Sequence, residues 1–237
     1  MLIDDPKQPA MVQLKLKIFE APQRALWPEL GSTPSQFTLY GGTALALQLG
    51  HRASVDFDFF STQPFNPQQL LSDVPYLAGA RITQLTSGSL TATVDRGGDV
   101  KLSFFAPPQP LTMIGNPVES KKPLLRLASK IDIAATKLAV LPMRPAAKDY
   151  IDIHALITMA RIPLASQLAA VPFVFEGQPY NPFIPLKALT YFADGDLPSL
   201  PEPVKRGLMR AVAEIDIADV QRRIEHARAN PDIWKQF

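Results

Sequence analysis

From Tyr40 to Phe60 the chain sets a glycine pair, a short apolar stretch, a polar turn and two spaced carboxylates in one order. The residues are Tyr40-Gly41-Gly42-Thr43-Ala44-Leu45, then Gly50-His51-Arg52-Ala53-Ser54, then Val55-Asp56-Phe57-Asp58-Phe59-Phe60. Alternation of aspartate with large apolar residues predicts a half-buried strand over Ser54 to Phe60. Asp56 and Asp58 then share one face, and Val55, Phe57 and Phe59 face the core. Phe37 to Tyr40 reads as a short strand. Thr43 to Leu49 reads as a helix, with Gly50 as the residue that ends it. Two strands joined through a glycine turn and one short helix restrict the fold to a sheet that carries helices.

Two carboxylates aimed at one point repel each other and need a cation. Oxygen-only ligands suit Mg²⁺ or Mn²⁺. Glycines let backbone approach a phosphate, and a helix N-terminus offers it free N–H donors. A phosphate cradle beside a paired-carboxylate metal site is what nucleotidyl transfer needs. Each part alone has a plainer reading: Asp-x-Asp is often a solvated strand face, and Gly-Gly is often a turn. The ordered combination carries the chemistry.

A second constellation lies further along. Pro123 to Leu141 reads as a long helix stopped near Pro142, and Pro145 to Met159 as the next. On the first, residues 130, 134, 137 and 141 share a face, so Lys130 and Lys137 lie on one side. On the second, Asp149, Asp152 and Ile153 stand together, with Arg144 in the connection. A lysine can neutralise triphosphate charge as pyrophosphate leaves. Asp149 could orient that lysine or contact base or ribose. The plainer alternative is a Lys–Asp clamp between helices, worth ~0–1 kcal/mol if exposed.

The stretch from Tyr40 to Phe60 resembles the first motif of the nucleotidyltransferase superfamily, in which Gly-Ser or Gly-Gly precedes Asp-x-Asp. Its form Gly-Gly-Thr-Ala-Leu…Gly-His-Arg-x-Ser-x-Asp-x-Asp-x-Phe resembles a narrower branch, the AbiEii/AbiGii-type toxins, which include the MenT toxins. The block Lys137-Leu138-Ala139-Val140-Leu141, Arg144, Lys148-Asp149-Tyr150-Ile151-Asp152-Ile153 is similar to that family's later Lys…Arg…Lys-Asp-x-x-Asp signature. The resemblance covers roughly residues 37–160, and the last third matches by helical character only. It implies an α+β protein. Residues 1–115 form a nucleotidyltransferase-like mixed sheet flanked by helices, and residues 116–237 form a helical domain completing the cleft. It implies Asp56, Asp58, Lys137 and Asp149 as catalytic residues. Gly41, Gly42, Thr43, Arg52, Ser54 and Lys130 hold the nucleotide, and Asp56 and Asp58 hold Mg²⁺ or Mn²⁺. The implied partners are an NTP, a tRNA 3′ end or another RNA acceptor, and a separately encoded antitoxin.

One position departs from the pattern. Many nucleotidyltransferases bring a third carboxylate from a later strand. That strand is Asp99-Val100-Lys101-Leu102-Ser103-Phe104-Phe105, whose expected ligand position holds Lys101 or Ser103. Neither replaces a carboxylate. Two alternatives stay open: phosphates complete the metal's shell, or turnover is weak. A second reading is therefore a nucleotide- or partner-binding protein of the same fold with weak or lost catalysis. A third is a housekeeping transferase acting on a small alcohol or amine.

Composition narrows the rest. There is no cysteine, which excludes disulfides, thiolate metal sites and cysteine catalysis. Only three histidines occur, too few for a histidine-rich zinc site. No apolar run reaches the ~18 residues of a membrane span. The acidic start Met1-Leu2-Ile3-Asp4-Asp5 lacks the basic and apolar regions of a signal peptide. A cytoplasmic protein without membrane contact is expected. Residues 121–161 carry 8 Lys and Arg against 3 Asp and Glu, while the segments on either side are slightly acidic. A basic surface there would attract triphosphate or RNA, unless it is simply a solvated helix pair.

The remaining elements read as follows. Residues 9–20 suggest an opening helix ended near Pro22. Asn66-Pro67 caps a helix running to about Val74. Strands are expected over Ala80–Leu85, Ser89–Asp95 and Val100–Phe105, turned at Gly88 and Arg96-Gly97-Gly98. Pro172 to Pro185 crosses the surface. Asn181-Pro182 starts a helix ending near Ala193-Asp194-Gly195, and Pro203 to Ala229 makes one final helix.

Overall fold

The computed structural model describes residues 13–106 and 111–237. In chain order its strands are β1 (Phe37–Tyr40), β2 (Phe57–Ser61), β3 (Arg81–Thr86), β4 (Ser89–Asp95), β5 (Asp99–Phe105), β6 (Val118–Lys121) and β7 (Leu124–Leu127). Among the described residues these make one mixed sheet, ordered β3-β4-β5-β2-β1-β7-β6. The expected α+β class and its mixed sheet are what the chain forms. β1 is buried along its whole length, as a central strand must be. It pairs antiparallel with β2 and parallel with β7. β2 alternates as read, with Phe57 and Phe59 fully buried. Phe59 stacks on Phe104 of the parallel neighbour β5, with ring centroids 5.0 Å apart. The meander β3-β4-β5 turns at Gly88 and Arg96-Gly97-Gly98, as expected.

The helices are α1 (Ala21–Leu26), α2 (Gly41–Leu49), α3 (Pro67–Asp73), α4 (Lys130–Val140), α5 (Ala147–Thr158), α6 (Leu164–Val174), α7 (Phe183–Ala188), α8 (Glu202–Ala213) and α9 (Ile217–Ala229). α2 links β1 to β2 and packs on α4 and α5. This contact brings the two sequence motifs together. α3 is capped as read: the Asn66 side chain accepts from the Gln68 and Gln69 amides at 3.0 and 3.2 Å.

Several readings need correction. Residues 9–12 lie outside the described residues, and over the rest of that expected helix the chain makes only one 3₁₀ turn, Leu16–Ile18. Pro22 opens α1 instead of ending a helix, because its missing N–H costs nothing in a first turn. The long helix from Pro123 is a hairpin followed by a shorter helix. Leu125 and Leu127 are buried while Leu124 is 72% exposed, a period of two. Ser129 then caps α4, accepting from the Asp132 amide at 3.1 Å. The sheet thus continues past residue 115, with β6 and β7 on the far side of that expected boundary. The surface stretch from Pro172 begins inside α6. That helix is apolar nearly all round, so it gives no amphipathic signal. α7 ends at Ala188, earlier than read, and the final helix is two, with Asp216 capping the second through the Ala218 amide at 2.9 Å.

Candidate active site

Asp58 stands on β2 directly between Tyr40 of β1 and Ser103 of β5 in the sheet register. Ser103 is the buried neighbour of Asp58, in the strand position expected to hold a third carboxylate. Burial raises the Asp58 pKa above the ordinary aspartate value. The Asp56 charge raises it further, and the Ser103 hydrogen bond with the Lys101 and Lys148 charges offsets part of this. Asp56 precedes the strand instead of lying in it, since β2 starts at Phe57. Val55 is 45% exposed, contrary to the core position read from alternation, because residues 54–56 form no ladder. The turn is held instead by hydroxyls. Those of Thr43 and Ser54 share a hydrogen bond of 2.7 Å, and Thr43 donates to the Asp56 carbonyl.

The two glycines do different things. Gly41 takes φ +69°, and a β-carbon there would sit 3.2 Å from Asp58 Oδ2. It is required both for its backbone and for the carboxylate beside it. A β-carbon on Gly42 would collide with the Arg52 guanidinium. Gly42 therefore makes room for Arg52, which is committed elsewhere: Nε and Nη2 donate to Asp152 Oδ1 and Oδ2 at 2.6 and 2.8 Å.

Asp152 is the centre of a buried ion cluster. His51 Nε2 donates to it at 2.6 Å, and Lys137 Nζ lies 2.6 Å from its other oxygen. Lys137 also donates to Asp149 at 2.7 Å, and Arg144 donates to Asp149 at 2.8 Å. Burial by itself would raise the pKa of both acids. The Lys137 charge and hydrogen bond, with Arg144, outweigh it at Asp149. At Asp152 the hydrogen bonds from His51 and Arg52, with the Lys137 charge, hold the carboxyl far below its ordinary range. Three permanent cations (Arg52, Lys137 and Arg144) face two carboxylates, so the cluster keeps a positive excess. Arg144 is 60% exposed and carries that excess to the surface.

A cleft of about 880 Å³ opens between the sheet and α4–α5. It brings together Gly41, Asp56, Asp58, Lys137 and Asp149 from the two distant motifs. Gly42, Thr43, Arg52, Ser54 and Lys130 do not line it. Thr43, Ser54 and Arg52 instead shape the loop behind the carboxylates, and Lys130, at the start of α4, has its pKa lowered by burial. Lys148, a member of the second motif with no site role expected of it, lines the cleft, and its charge lowers the Asp58 pKa; its place one residue before Asp149 is the sequence signal for it. Thr136 and the hydroxyls of β3–β4 were missed altogether, because scattered Ser and Thr give no sequence pattern. Asp56 and Asp58 are the oxygen donors open to a cation. Among the described residues no group of three His, Cys, Asp or Glu gathers around a metal position.

The family model described as "Nucleotidyl transferase AbiEii toxin, Type IV TA system" matches residues 30–235. An uncharacterized protein of Aquifex aeolicus (strain VF5) is 30% identical over 162 residues, covering 68% of this chain and 75% of that one. The structure of MenT4, a nucleotidyltransferase toxin of Mycobacterium tuberculosis H37Rv, superposes with a TM-score of 0.54 at 16% identity, over 90% of this chain and 91% of its own, which shows a shared fold. With a family match spanning nearly the whole chain, and with both family motifs meeting in one cleft, this chain belongs to the AbiEii family of nucleotidyl transferase toxins.

Proposed function

We propose that the protein transfers a nucleotide from an NTP to a hydroxyl of an RNA acceptor, such as a tRNA 3′ end. In this reading it acts in the cytoplasm as the toxin of a pair restrained by a separately encoded antitoxin. The observation that carries the reading is the convergence of Asp56, Asp58, Lys137 and Asp149 on one cleft large enough for a nucleotide. In the reaction the acceptor oxygen attacks the α-phosphorus, and the bond from that phosphorus to its bridging oxygen breaks. Pyrophosphate leaves with the electron pair, and the hydroxyl proton passes to water. The positive excess of Lys137 and Arg144, with Lys148, neutralises charge on the departing pyrophosphate. The α2 N-terminus at Gly41 offers backbone N–H groups to the phosphates.

The donor chemistry fits Mg²⁺ or Mn²⁺. Asp56 and Asp58 repel each other: burial is the main cause of the raised Asp58 pKa, and the Asp56 charge adds to it. A hard divalent ion held by these two would take its other oxygens from phosphate and water. When bound, it would supply charge neutralisation at the transferring phosphate.

One observation favours a second reading: Ser103, and not a carboxylate, pairs with Asp58. A protein of this kind would bind nucleotide with little turnover. Incubation with radiolabelled NTP, Mg²⁺ and total RNA separates the two. Labelled RNA, lost in Asp58→Asn, supports the transferase. Label retained on protein without transfer supports the binding protein. Label in small molecules points to a small-molecule acceptor and overturns the RNA acceptor.

A further inference from the structure

The floor of the cleft is one face of the sheet, and its chemistry changes along the strands. At the level of Asp58 the register sets Tyr40, Asp58, Ser103, Thr91 and Gln84 side by side across five strands. Two residues further on, the same face shows Phe60, Phe105 and Ser89 in register. Two residues before Asp58 and Ser103 stand Asp56 and Lys101, which also line the cleft. The floor therefore passes from charged, through mixed, to uncharged and aromatic. Phe60 and Phe105 are half-buried, and their ring centroids lie 5.4 Å apart, tilted by 40°. Both line the cleft, so their unburied sides face it. Beside Phe105, Ser89 is only 9% exposed, and its buried hydroxyl has no hydrogen-bond partner among the described residues. A buried hydroxyl without a partner is costly and is retained where something else supplies the partner. On the strand floor no charged side chain of the cleft lining belongs to this end; Ser87, Gly88 and Ala106 continue it along the chain.

We infer that this end of the cleft is a nucleobase subsite, in which a planar heteroaromatic ring lies against Phe105 and Phe60 and presents a polar edge to Ser89. The inference rests on the transferase reading, since it assigns the base of one of that reaction's two nucleotides. The subsite lies about 7 Å along the strand from Asp58, one residue pair on, and a ribose bridges that step between base and phosphate. An aromatic floor holds any base by stacking, and the Ser89 hydroxyl adds a preference among bases. The base can come from the incoming NTP or from the terminal nucleotide of the acceptor.

Phe105→Leu tests the assignment, because it keeps apolar bulk and removes the aromatic face; Phe105→Tyr restores the face. Dissociation constants are measured with Mn²⁺ for each NTP, for inorganic triphosphate and for a short single-stranded RNA, with thermal melts to confirm folding. If the NTP base occupies the subsite, Phe105→Leu weakens NTP binding about tenfold and leaves triphosphate unchanged. If the acceptor base occupies it, RNA binding weakens about tenfold and both triphosphate and NTP are unchanged. Either result, reversed by Phe105→Tyr, supports the inference. If wild type binds triphosphate and Phe105→Leu changes neither NTP nor RNA affinity, the subsite is overturned and the transferase reading stands. If wild type binds neither NTP nor triphosphate, both fall.

Discussion

Asp152 illustrates how much one buried acid can organise. Its two oxygens hold His51 and Arg52 from the first motif and Lys137 from the second, with the carboxylate wholly enclosed. Asp152→Asn leaves buried cations without their counter-charge and should cost about 3 kcal/mol. A fall of roughly 6–12 °C in Tm is the expected readout. The Asp149 and Asp152 pKa values are depressed in the folded chain, so the stability they contribute is fully present above about pH 4. That stability is lost as pH falls through the folded values. Acid unfolding should therefore steepen below about pH 4, and less so in Asp152→Asn. Asp58 has the opposite sign. Its raised pKa means that ionising it opposes folding, and this cost appears as pH rises through its folded value. Asp58→Asn should leave Tm equal or higher at neutral pH while lowering transfer at least about 100-fold. Ser103→Asp adds a third acid beside an already strained pair. It should lower Tm without metal, tighten Mn²⁺ binding and speed transfer. Loss of binding in a folded Ser103→Asp protein would show that the serine itself is needed there.

Elements differ in how openly the sequence announces them. Asn66-Pro67 is legible because cap and proline act locally, and Asn66→Ala should lower stability by about 1 kcal/mol, checked by denaturant titration. The meander β3-β4-β5 is legible for the same reason: Gly88 and Gly97-Gly98 fix its turns. The carboxylate pair and Lys137 could be placed in one cleft because each sits at a fixed spacing within a motif. β6–β7 was hidden, since Leu124-Leu125-Arg126-Leu127 suits helix or strand until its neighbour β1 is known. Ser129, which caps α4, was an unused signal for where the helix begins. α6 was hidden because a helix buried on all sides has no periodicity to read. The roles of Gly42 and Arg52 were hidden too: their partner, Asp152, lies 100 residues from Arg52.

At the scale of the molecule, no helix among the described residues is long and apolar enough to cross a membrane. The cleft is lined by residues from both halves of the chain. A fragment of residues 1–115 would lose β7 and leave β1 with an unpaired edge. It should associate, as light scattering would reveal, because open central strands recruit other chains. NTP with Mg²⁺ should raise Tm of the whole chain, by about 2.7 kcal/mol of stabilisation at 100 times Kd, and should do little for Asp58→Asn. The ion cluster around Asp152 also limits how such genes can be reshuffled. His51 and Arg52 are encoded about 100 codons before their acid. A crossover between two relatives inside that interval would join halves of a buried charge set with different histories. A chimera that joins His51 and Arg52 to a partner sequence with no acid at position 152 should be destabilised as Asp152→Asn is.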